Sequence, residues 1–203
     1  MKLSSVQMDA MQELGNIGAA HAATTLSQLL SSTVEMSVPK IMTVDIAQLA
    51  DHIGDESAAL VVFELQGEIP HGGYIIFYIS RKSAVHLTNT MLGLTDPDRP
   101  LSEMDESALI EVGNIMASAF LDAAAELLGF VMIPSPPALT IDMAHAAMQS
   151  LIAQMQEEIN EVMLFSTELF CEEHKIDSDI IMMPETSTLK MFVERLDNLM
   201  KPI

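Results

Sequence analysis

The chain has 203 residues, 49% of them hydrophobic. That is enough for one domain with a sizeable core, or two small fused ones, and it excludes a disordered chain. Nine basic residues against 29 acidic ones give a formal charge of -20, a field that repels nucleic acid and disfavours an anionic membrane surface. The one cysteine, Cys171, excludes an internal disulfide and any cysteine-cluster metal site, and reads as a small buried hydrophobe.

The opening segment, MKLSSVQMDAMQEL, carries acids and glutamines where a signal peptide needs an apolar stretch. The uncharged run 14–34 is long enough for a membrane span, but Asn16, His21, Thr24, Thr25, Gln28 and several serines make it too polar. The expected location is therefore the cytoplasm, without membrane insertion. Ser4 and Gln7 have the spacing of a capping box, with Leu3 and Met8 placed as a hydrophobic staple. They predict a helix of roughly 25 residues. Extended segments follow at 34–44, 57–67 and 72–80, then a short helix at 82–93. The turn-rich TDPDRP at 95–100 reads as a linker. The second half opens on Ser102 and Asp105, a weaker capping pair. It continues with a long helix, strands near 130–141, 159–171 and 178–184, and a helix at about 187–200.

The order repeats because the sequence does. Residues 13–30, ELGNIGAAHAATTLSQLL, align with 111–128, EVGNIMASAFLDAAAELL, at an offset of 98 that also carries Leu3 and Ser4 onto Leu101 and Ser102. After a one-residue slip, TVDIA at 43–47 matches TIDMA at 140–144. Each half alone is too small to bury much core. The expected fold is a single α/β domain over 1–203, built from two pseudo-twofold-related repeats of about 1–97 and 98–203. Each supplies a long helix, about three strands and a closing helix to one shared sheet, with the long helices exposed on one side.

At 100° per residue, Asp9, Glu13 and Asn16 fall within about a 60° arc of the first helix. Ser107, Glu111 and Asn114 fall on the same arc of its copy. Leu3, Met11, Leu14, Gly18 and Leu29 read as the core side. Any amphipathic helix has a polar face, but asparagine is a poor mid-helix residue. A glycine also precedes each one, Gly15 and Gly113, at about 1 kcal/mol relative to alanine. Either something approaches the polar face closely, or the two long helices pack on each other through the glycines.

Asp9, Glu13, Asn16 and Pro39 share one spacing with Ser107, Glu111, Asn114 and Pro137. This doubled pattern resembles the signature of the CheC family of chemotaxis phosphatases, related to CheX and FliY, and the likeness covers the whole chain. It implies an enzyme that dephosphorylates the phosphoaspartate of the response regulator CheY, and cytoplasmic chemotaxis signalling. Phosphoryl transfer asks mainly for positioning and electrostatics. The resemblance thus implies no cofactor bound by this chain and Mg²⁺ on the regulator. Asn16 and Asn114 are expected to orient the attacking water, since a carboxamide oxygen accepts a hydrogen bond from it and carries no charge against the phosphoryl group. Glu13 and Glu111 are expected to engage the regulator's active-site lysine, Asp9 and Ser107 to support docking, and Pro39 and Pro137 to shape the chain. A glutamate base is less attractive, because an exposed carboxylate is weakly basic. The charge is uneven, about -6 on residues 1–100 and about -14 on 101–203, so the first site should attract an acidic partner better.

The resemblance also implies CheD, the receptor deamidase, as a partner, and a pure CheD adaptor is the alternative reading. Two intact motifs favour the enzyme. A switch component like FliM is expected to carry extensions at both ends, which this chain does not show, and a CheX-like obligate dimer fits less well because both halves are present. Other features read as structural. His21, His52, His71, His86, His145 and His174 include no pair at metal-ligand spacing on one helix, so no metal site is expected. Asp45 and Asp142 read as strand-to-helix caps. PHGG at 70–73 reads as a hairpin turn, and the 17 methionines as core filler.

Overall fold

The computed structural model describes residues 4–69, 72–154, 161–171 and 174–199. Helix α1 (Ser5–Leu30) starts where the sequence places it. The Ser4 amide donates to Gln7 Oε1 at 2.8 Å and the Gln7 amide to Ser4 Oγ at 3.3 Å, closing the capping box. Leu3, the staple residue, lies outside the described residues, as do Pro70 and His71 of the expected hairpin turn. Strands β1 (Val34–Met36) and β2 (Lys40–Asp45) follow, then α2 (Ile46–Ile53), β3 (Ser57–Gly67), β4 (Gly73–Ser80) and α3 (Arg81–Leu92). The second half repeats the order: α4 (Glu103–Leu128), β5 (Met132–Pro134), β6 (Ala138–Met143), α5 (Ala144–Gln154), β7 (Glu161–Cys171), β8 (His174–Pro184) and α6 (Thr186–Leu199).

Several expectations need correction. The segments 34–44 and 130–141 are each two strands, interrupted at 37–39 and 135–137 by the motif prolines, which have no N–H for a ladder. A serine bridges each break. The Glu168 amide donates to Ser37 Oγ and the Glu64 amide to Ser135 Oγ, both at 2.9 Å. Strand β8 begins at His174 rather than 178, because pairing with β7 overrides the polar Asp177 and Ser178. Helices α2 and α5 are additional to the expected elements. Asp45 does cap α2, accepting from the Ala47 amide at 2.9 Å. Asp142 accepts instead from the adjacent Met143 amide at 2.7 Å, while α5 starts at Ala144. Leu29, expected in the core, is 44% exposed at the last turn of α1.

The sheet order is β1-β7-β8-β4-β3-β5, with β2 also on β7 and β6 also on β3, all antiparallel. Strands β4 and β8 meet at the centre, pairing Ile76 with Ile181. First-half β1 and β2 thus pair with second-half β7, and second-half β5 and β6 pair with first-half β3. One face of the sheet, with Val61, Phe63, Phe77 and Phe165, packs under α1, α3, α4 and α6. The other face, with Leu60, Ile76, Leu164 and Ile181, is covered by α2 and α5. The result is one mixed α/β domain with a single curled antiparallel sheet.

Both explanations offered for the motif glycines give way to a third. A Cβ on Gly15 would stand 3.2 Å from the Phe165 ring and 3.3 Å from Ile41, and one on Gly113 would stand 2.8 Å from Val61. Both glycines are buried and let their helices settle onto the sheet, Gly15 between β7 of the second half and β2 of its own, and Gly113 on β3 of the first half. Helix-on-helix contact falls to Gly18, where a Cβ would meet the Phe120 ring at 2.9 Å. Helix α4 is long and apolar enough to cross a membrane by composition, but most of its apolar stretch is buried in the core.

Candidate functional site

Helices α1 and α4 run antiparallel past one another. Gly18 faces Phe120, and six residues on, Thr24 shares a groove with Asn114. The residues they bury, among them Met11, Leu14, Ala22 and Leu26 on α1 and Leu109, Val112, Met116 and Phe120 on α4, fall at helical spacing on the sheet side. The opposite side is left to the motif residues. Asp9 and Glu13 are exposed and Asn16 is half-buried, while Ser107, Glu111 and Asn114 are all exposed. One large apolar residue precedes each motif by three positions, Val6 at 53% and Met104 at 66% exposure. The structure therefore brings each expected triplet onto one solvent-facing helix side. The antiparallel crossing sets the two triplets towards opposite ends of the helix pair.

The two copies differ in detail. Asn16 is held: Gln12 Nε2 donates to the Pro39 carbonyl at 2.9 Å and to Asn16 Oδ1 at 3.3 Å. Pro39 is buried, and its carbonyl anchors this link. In the second copy the residue at the position of Gln12 is Ile110, which has no donor, and Pro137 is exposed. Asn114 opens instead into a groove of about 420 Å³ between the helices. His21, Thr24 and Thr25 line it from α1, and Ser118 and Asp122 from α4. The Thr24 and Thr25 hydroxyls donate to the carbonyls of Ala20 and His21 one turn back. Ser107 likewise donates to the Glu103 carbonyl at 3.0 Å, so its hydroxyl proton is engaged within its own helix.

Three polar arrangements outside the motifs escaped sequence reasoning. Arg99, within the expected linker, donates to both carboxylate oxygens of the fully buried Asp105, to Thr88 Oγ1 at 3.0 Å and to Asn89 Oδ1 at 2.7 Å. The guanidinium, helped by the Ser102 hydroxyl and amide, holds the Asp105 carboxyl well below the usual carboxylate range. Asp105 thus does far more than cap α4, since it fastens the start of the second motif helix to the linker and to α3. A second carboxyl, Asp179 on β8, is raised by burial against a lowering hydrogen bond from Ser166. It shares the sheet face of Ile181, away from both motifs. Gln12 also escaped notice, because the repeat does not copy it. Among the described residues, no cluster of three or more histidine, cysteine or acidic side chains could hold a metal ion.

A model of the CheC-like family matches residues 6–43 and 104–141, one stretch in each repeat, running from the motif helix past the motif proline. Over 195 residues the chain is 30% identical to the CheY-P phosphatase CheC of Bacillus subtilis (strain 168), with 92% of both chains covered. The protein CheC1 of Halobacterium salinarum is 28% identical over 194 residues, covering 95% of this chain and 96% of its own. The fold matches FliY of Thermotoga maritima with a TM-score of 0.79 at 22% identity, across 98% of this chain and 99% of that one. CheY-P phosphatases are protein phosphatases, a class of hydrolase. With the repeat matched in both halves and the B. subtilis relative aligned over nearly its full length, this chain belongs to the CheC-like family.

Proposed function

We propose that this protein hydrolyses the aspartyl phosphate of a CheY-type response regulator in the cytoplasm, using Glu13 with Asn16 and Glu111 with Asn114. The observation that carries the reading is the doubled Glu–Asn pair, each on the outward side of a buried helix, in a chain of the CheC-like family. A protruding helix face can enter another protein's pocket, where a concave site could not. Each asparagine orients a water in line with phosphorus, its oxygen accepting a hydrogen bond from that water. Each glutamate, repelled by the phosphoryl oxygens, pairs with a lysine of the regulator. Asp9 and Ser107 support docking, and Val6 and Met104 give each face an apolar rim. Mg²⁺ belongs to the regulator in this reading and none is drawn from this chain.

The test is phosphate release from a CheY protein charged by a small phosphodonor with Mg²⁺. Wild type is compared with Asn16→Ala, Asn114→Ala and the double variant. Acceleration abolished only in the double variant supports two working sites. The first copy should be the faster, so Asn114→Ala should retain more activity than Asn16→Ala, because its half carries less negative charge and its asparagine is held. No acceleration by folded wild type would overturn the phosphatase reading and put the CheD adaptor in its place, to be tested by direct binding to CheD.

A further inference from the structure

We propose that Gln12 is a positioning residue for the first site, fixing the Asn16 carboxamide through the carbonyl of Pro39. The inference rests on the phosphatase reading and deepens it. An asparagine amide has two nearly isosteric orientations, with oxygen and nitrogen exchanged. Only the carboxamide oxygen can accept a hydrogen bond from an attacking water, so the wrong orientation is unproductive. The two amide hydrogens of Gln12 are both committed, one to Pro39 O at 2.9 Å and one to Asn16 Oδ1 at 3.3 Å. Because Gln12 presents a donor, it selects the Asn16 oxygen as its acceptor and excludes the amide nitrogen. The second lone pair of that oxygen stays open to a water.

The anchor gives this link its direction. The Pro39 carbonyl belongs to a buried residue at the β1–β2 break, so Gln12 is tethered to the sheet rather than swinging on its helix. Asn16 is thereby ordered before substrate arrives, which removes an entropic cost from the reacting complex. The first copy thus has a device that links three residues, Gln12, Asn16 and Pro39, two of them in the motif. The second copy lacks it, because Ile110 cannot donate a hydrogen bond.

The experiment uses Gln12→Met, similar in length and without donors, in the full chain. In the Asn114→Ala background, where only the first site acts, kcat for phosphate release should fall about three- to tenfold, the worth of one net hydrogen bond. KM should stay within about twofold, since docking is untouched. In the Asn16→Ala background the same change should leave the rate unaltered, and thermal melting should show a folded protein. An unchanged kcat in active Asn114→Ala protein overturns the inference while the phosphatase reading stands. So does a rise confined to KM, an equal loss at both sites, or an Asn114→Ala protein with no activity beside an active wild type. A wild type that releases no phosphate overturns both.

Discussion

Arg99 shows how far a single residue departs from its sequence context. It sits in TDPDRP, a stretch that reads as solvated linker, yet its side chain is only 13% exposed and grips a carboxylate that is fully buried. Breaking a buried pair by removing one partner leaves an uncompensated charge, which costs about 3–5 kcal/mol. Arg99→Ala should therefore lower the stability of the whole chain by that order, read from urea unfolding at neutral pH. The pH dependence has a definite sign. Asp105 is depressed in the folded state by Arg99, so its contribution is present above the unfolded carboxylate value of about 3.9. It is lost as pH falls below that value towards the depressed folded one. The stability gap between wild type and Asp105→Asn should be constant from pH 7 to about pH 5, then narrow in more acid solution. A gap that widened on acidification would contradict this assignment.

The two motif helices are elements whose inner face is set to the sheet at atomic contact, and their outer face inherits that placement. Gly113 is the tighter case. A methyl group there would meet three atoms of Val61 between 2.8 and 2.9 Å, and Val61 is β-branched on an interior strand, β3, with little room to turn. Gly15 faces the edge of the Phe165 ring and the end of Ile41, at 3.2 and 3.3 Å, which can yield by a few tenths of an ångström. An alanine in either helix gains about 1 kcal/mol of propensity, against overpacking of about 1–3 kcal/mol. Gly113→Ala should destabilise the protein and Gly15→Ala should stay within about 1 kcal/mol of wild type. Thermal melting of both variants checks this, and adding Val61→Ala should recover part of the Gly113→Ala loss. Since Asn114 directly follows Gly113, the same variant should slow the second site.

At the scale of the molecule, the two repeats are interleaved rather than abutted. Each half lends its two short strands to the other half's long strand, and each motif helix also touches that long strand, Gly15 at Phe165 and Gly113 at Val61. A half expressed alone, 1–97 or 98–203, would leave β3 or β7 without the strands on one side and the motif helix without part of its floor. Each half should be largely unfolded by circular dichroism, and mixing the two should restore helix content. Unfolding of the intact chain should be a single cooperative transition. Independent folding of either half would contradict the interleaved arrangement.

Much of this was legible in the sequence because duplication wrote it twice. The two long helices, the doubled Glu–Asn pair and its outward arc, the linker, and the α/β class with one shared sheet all follow from periodicity and self-similarity, which are local or near-local signals. Tertiary structure decided which strand lies beside which, and so that the halves exchange strands, since register depends on residues far apart in sequence. It also decided what Gly15 and Gly113 are for, because a missing Cβ has meaning only against the side chain it faces. The extra start of β8 came from pairing with β7, and the burial of Arg99 and Asp105 from a linker folded back on two helices. The difference between the sites belongs here as well. Gln12 and Ile110 are single residues outside the repeated pattern, and only the approach of the Pro39 carbonyl makes one of them a tether for Asn16.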